Sequence, residues 1–164
     1  MRHLLRRPGP AAVRGVVVLT LLGTVGCSDA VQVATPTVDR EGREACRAFL
    51  DALPPELDGA SRRKVEPSEA LSVAWGDPAV VVTCGAGAPE GFDEFSPCEE
   101  VDGVGWYAPE GAADDPASDV VLTTIGVKPR VAVAVPSERR PPAGILVTVG
   151  AVVREQLGVR APCV

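Results

Sequence analysis

Five cysteines, at positions 27, 46, 84, 98 and 163, restrict this chain more than any other feature. Whether they can pair depends on compartment, because thiols stay reduced in the cytosol and oxidise outside it. The amino terminus points to the outside. Beginning at Met1, the 164-residue chain reads as a full precursor. Arg2, Arg6, Arg7 and Arg14 flank or precede an apolar run from Gly15 to Val25, and no acidic residue occurs before Cys27. A basic head, an apolar core and a small residue, Gly26, are the parts of a secretory signal, so residues 1–26 are expected to be removed on export. The core is shorter than the roughly 20 apolar residues a spanning helix needs. The arginines hold the head inside while the remainder passes out.

An odd number of cysteines in an exported chain leaves one without a partner. Thr24-Val25-Gly26-Cys27 resembles the lipobox of bacterial lipoproteins, with Thr24 where Leu is usual. Cys27 is therefore expected to carry a lipid, which makes the bilayer a partner; an ordinary signal peptide leaving a spare thiol is the alternative. Lipidation of Cys27 makes Cys46, Cys84, Cys98 and Cys163 an even set. Four cysteines allow three connectivities. The favoured one joins Cys84 to Cys98 across a short loop and Cys46 to Cys163 across a long one. The chain-entropy model gives about 3 kcal/mol for the short loop and somewhat more for the long one.

Residues 27–38 are polar and small and read as a tether, leaving one domain over 39–164. Asp39 can cap a helix to about Leu53, on which Ala45, Cys46, Phe49, Leu50 and Leu53 form one apolar stripe ended by Pro54-Pro55. Strand candidates are 62–65, 70–75, 79–84, 99–101, 105–108, 119–125 and 130–135. Gly76-Asp77-Pro78 is read as a turn and Asp102-Gly103 as a hairpin. Pro141 or Pro142 opens a last helix with Ile145, Val149, Val152, Val153 and Leu157 on one face and Gly158 at its end. The pattern predicts an α+β fold: an antiparallel or mixed sheet of four to six strands packed on an N-terminal and a C-terminal helix and stapled by disulfides.

Function is constrained mainly by exclusion. All 22 acidic residues follow Cys27 but only 12 of the 16 basic ones do, so the mature chain is near −10 and a poor partner for nucleic acid. The single histidine, His3, leaves with the signal, which removes the base of serine and cysteine hydrolases and the usual zinc ligand. With the remaining cysteines paired, no metal, cofactor or thiol nucleophile is expected. The carboxylate pairs Asp93-Glu94, Glu99-Glu100 and Asp114-Asp115 could serve a glycosidase or hold calcium, but adjacent acids on Gly/Pro-rich loops ordinarily point into water. Trp75 and Trp106 read as core, or alternatively as walls of a ligand groove together with Asp77, Arg62 and Arg63.

Between Cys46 and Val135 the chain resembles DUF3515 proteins, a family secreted or lipid-anchored in high-GC Gram-positive bacteria. The resemblance rests on Cys46, Leu53-Pro54, Arg62-Arg63, Trp75-Gly76-Asp77-Pro78, Thr83-Cys84-Gly85, Cys98, Val101 to Trp106, and Thr123-Thr124. Gly105 stands where an acidic residue is usual. Fourteen arginines against two lysines, with no asparagine, suit a high-GC genome. The resemblance implies location and architecture but no activity. The expectation is a non-enzymatic lipoprotein on the outer face of the membrane, binding an envelope protein or a cell-wall ligand. A hydrolase using carboxylates alone and a purely structural envelope protein are the alternatives.

Overall fold

The computed structural model describes residues 29–160, apart from positions 94 and 113, together with Cys163. The expected signal segment and the lipid site at Cys27 lie outside the described residues.

Strand β1 (Val31–Gln32) leads to helix α1 (Arg40–Ala52), then to β2 (Glu56–Leu57), β3 (Ala60–Arg63), β4 (Val65–Glu66), β5 (Ser72–Trp75) and β6 (Val80–Cys84). After a long loop come β7 (Glu99–Val101), β8 (Val104–Tyr107), β9 (Val120–Ile125), β10 (Val131–Val135) and helix α2 (Ala143–Gln156). Eight strands form one sheet in the order β2-β3-β5-β6-β10-β9-β8-β7, every neighbouring pair antiparallel. The α+β architecture stands, with more strands than the four to six expected. A two-residue strand such as β2 is too short for alternation to reveal it, and it exists because Asp58 and Gly59 adopt positive φ and close a hairpin. Asp102-Gly103 does the same between β7 and β8.

Helix α1 forms where its stripe and cap predict. The Asp39 carboxylate accepts the Gly42 N–H at 2.7 Å, satisfying one of the free donors of the first turn. Cys46, Phe49, Leu50 and Leu53 are buried on its inner side. Helix α2 buries Ile145, Leu146, Val149, Gly150 and Val153. The two helices pack on each other and on one face of the sheet. Register fixes which residues that face carries: Trp75 pairs with Val80, Val82 with Val133, Val133 with Leu122, Thr124 with Trp106, and Val104 with Val101. Cross-strand partners share a face, so these residues, apolar apart from Thr124, line one continuous layer under the helices.

The connectivity favoured from spacing is corrected. The bridges are Cys46–Cys84 and Cys98–Cys163, with Cα atoms 5.4 and 5.5 Å apart. Cys84 ends β6 and faces α1, whereas Cys98 precedes β7 at the far edge, with β10, β9 and β8 between. Four strand spacings amount to about 19 Å, beyond any disulfide's reach. Nearness along the loop did not become nearness in space, because β9 and β10 insert between its two ends.

The stretch expected as a tether is also docked from its third residue onward. Val31 N–H donates to the Lys64 carbonyl and Val33 N–H to that of Glu66, placing β1 parallel to β4. Residues 34–37 then cross the sheet face opposite the helices, and Val38 packs against Gly85. β1 and β4 form a two-stranded sheet of their own beside the eight-stranded one.

Candidate functional site

The residues singled out as a ligand groove divide into two groups. Trp75 is fully buried, and its indole N–H donates to the Pro54 carbonyl at 3.2 Å. Above its ring, 5.6 Å from the centroid, lies the Arg62 guanidinium. Arg62 donates to the carbonyls of Leu50, Leu53 and Pro54, the acceptors left open at the end of α1. Arg63 donates to the carbonyls of Gly76 and Asp29 and pairs with Asp77 at 3.4 Å. Trp75, Arg62, Arg63 and Asp77 therefore meet, but as a joint that ties the end of α1, the β5–β6 turn and the N-terminal segment together. Every polar group named there already has a protein partner.

Trp106 stands apart. It belongs to β8, four strand spacings from β5. Its side chain is 1 % exposed, and its indole N–H has no acceptor among the described residues. A buried donor left unpaired costs about 1–3 kcal/mol. Trp106 forms part of the wall of a cavity of about 570 Å³. The floor is the helix-facing layer of the sheet edge, with Val101, Val120 and Leu122, and the roof is the start of α2, with Pro142 and Leu146. Size and apolar walls fall within the range of small-molecule sites.

Two further features give this cavity chemistry. Helix α2 begins at Pro142 with no side-chain cap, so its first-turn N–H groups have no side-chain acceptor. At the mouth lie the carboxylates of Glu99, Glu110 and Asp114, all exposed and without an ion pair among the described residues. The mouth is built by the loop between β8 and β9. Arg140 Nη1 holds that loop by donating to the carbonyls of Ala112, Asp115 and Ser118 at 2.8–3.0 Å. Asp115 stiffens it from within: its carboxylate accepts from the Ser118 hydroxyl and the Ala117 N–H. Those two hydrogen bonds, with Arg140 adding attraction and slight burial opposing them, hold the Asp115 carboxyl below the usual carboxylate range.

Of the acidic pairs read from the sequence, Glu99 and Glu100 alternate along β7, so Glu99 takes the helix side, opposite Trp106, and Glu100 the other. Asp114 lines the cavity while Asp115 turns inward to its own loop. Asp93 accepts from the Phe95 N–H and the Ser96 hydroxyl; its neighbour Glu94 lies outside the described residues. Neither Glu110 nor the open end of α2 was legible as part of a site. A Pro-Pro start lacking a Ser, Thr or Asp cap was the one available signal.

A second cavity, of about 450 Å³, lies at the start of α1, where Lys128, Arg130 and Arg160 face Asp39 and Glu41. On the sheet face away from the helices, residues 34–37 border a groove over Val81, Val121, Ala132 and Ala134.

The model of a family described as a protein of unknown function, DUF3515, matches residues 10–161, beyond the stretch on which the resemblance was read. No curated protein and no solved structure matches the chain.

Proposed function

The chain belongs to the DUF3515 family of unknown function, and from that premise we propose that it is an exported lipoprotein of the cell envelope that binds a ligand without transforming it. Cys27 carries the lipid and the domain lies on the outer face of the membrane. Use of the other four cysteines in two bridges supports this by leaving Cys27 as the odd sulfur. The observation that carries the binding role is the cavity of about 570 Å³ that joins an apolar floor, with Val101, Val120 and Leu122 beside Trp106, to the carboxylates of Glu99, Glu110 and Asp114. The apolar body of a ligand fills the cavity against the Trp106 wall, and an ammonium group meets Glu99, Glu110 and Asp114. Small amine-bearing peptides, such as those released from cell walls, have this chemistry.

The mature chain has two tryptophans, so each indole N–H gives its own resonance. Titration with solubilised wall peptides bearing free amines is expected to move the Trp106 signal and leave that of Trp75 in place. If neither moves with wall or lipid extracts, the binding role falls and a purely structural protein takes its place.

One observation favours a second reading, an envelope hydrolase working with carboxylates. Glu99, Glu110 and Asp114 share one cavity mouth. Release of product from wall glycan, abolished by Glu99→Gln or Asp114→Asn, would establish that reading instead.

A further inference from the structure

We infer that the domain lies directly against the bilayer on the edge carrying β1, β3 and β4, and so turns the Trp106 cavity away from the lipid. This rests on lipidation of Cys27 as proposed above. A free tether over residues 27–38 would let the domain roam about 40 Å from its anchor. Instead the chain is tied down from Asp29: the Arg63 guanidinium donates to the Asp29 carbonyl at 2.6 Å, and Val31 and Val33 bond to the backbone of Lys64 and Glu66. Gln32 adds a side-chain bond to Glu66 at 3.1 Å. Only Cys27 and Ser28 remain between the anchor and the docked strand, a reach of at most about 7 Å.

The surface brought to the lipid is then the one around Asp29, Lys64 and Ser68. Its charge is mixed: Arg63 is paired with Asp77, and Lys64 sits near Glu66 and Glu69. Attraction to anionic lipid is therefore not what holds it, and the contact is expected on neutral bilayers, set by the acyl chains alone. Along the sheet, β8 lies five strand spacings from β3, about 24 Å. Trp106 is thus supplied from the aqueous side of the envelope rather than from the membrane.

The mature chain has two lysines, both exposed: Lys64, beside the docked strand, and Lys128, in the β9–β10 connection. Lipidated protein on phosphatidylcholine vesicles is treated with a water-soluble, impermeant amine-acylating reagent, with the soluble Cys27→Ser chain as reference. The Lys64-to-Lys128 labelling ratio, read by mass spectrometry, is expected to fall about fivefold on the vesicle. Inserting about twelve Gly/Ser residues between Ser28 and Asp29 lengthens the leash without touching the domain and should restore the ratio. An unchanged ratio in protein whose Cys27 carries lipid overturns this inference alone, as does a low ratio that survives the insertion. Absence of lipid on Cys27 overturns both this inference and the anchoring on which it rests.

Discussion

Gly105 and Cys163 meet so closely that a Cβ placed on the glycine would stand 2.8 Å from the cysteine sulfur, and 3.0 Å from that of Cys98. The disulfide that fastens the C-terminus to the far sheet edge lies on bare backbone. A side chain at this position would displace the bridge. Gly105→Ala is expected to destabilise the domain by about 1–3 kcal/mol through overpacking. Denaturant unfolding checks the loss, and Gly105→Asp should lose more than Gly105→Ala.

Arg62 is a structural cation, and its replacement separates charge from shape. It caps the open carbonyls of Leu50, Leu53 and Pro54 while covering the Trp75 ring. Arg62→Ala should cost about 2 kcal/mol, one charged hydrogen-bond equivalent after competition with water. Arg62→Lys should recover less than half of that, because a point charge cannot bridge three acceptors while lying flat on an indole. Thermal unfolding of the two variants measures the difference.

Trp106→Phe removes the unpaired donor while keeping an aromatic wall. Without ligand the variant should be about as stable as the parent, because loss of an unsatisfied N–H offsets the lost ring volume. Ligand affinity should fall by about tenfold, because the smaller ring leaves part of the cavity wall out of contact. Isothermal titration beside chemical denaturation reads both, and a large stability loss with unchanged affinity would place Trp106 in the core alone.

Acid should loosen the mouth of the cavity before the rest of the domain. Asp115 titrates below the usual carboxylate range in the folded chain, mainly because it accepts from Ser118 and then from Ala117. A depressed carboxyl contributes stability at pH values above its unfolded pKa, and loses it as pH falls through the folded one. Amide exchange at Ala117 and Ser118 should stay slow from neutrality down into the ordinary carboxylate range and accelerate below it. Asp115→Ala should show the fast rate already at neutral pH.

What the amino-acid sequence determined is what nearest neighbours along the chain can decide. The Asp39 cap and the apolar stripe of α1 lie within a few turns, and the Asp102-Gly103 hairpin within two residues. Alternation from Val131 to Val135 assigns those side chains to one face whatever they pack against. With Cys46, Cys84, Cys98 and Cys163 taken as pairs, parity made Cys27 the odd sulfur without any knowledge of shape. Pairing of the other four was a different matter, since Cys84 and Cys98 are close in the chain and far apart across four strand spacings. The same holds for the site. Arg62, Arg63 and Asp77 could be read beside Trp75 as part of a ligand groove until the end of α1 and the β5–β6 turn supplied their partners. Trp106 looked equally buried, and only the tertiary packing of β7, β9 and the start of α2 made its ring part of a cavity wall. Local preference is encoded by short-range sterics and hydrogen bonds, but a cavity or a bridge depends on which distant surfaces meet, and the antiparallel order of the sheet settled that.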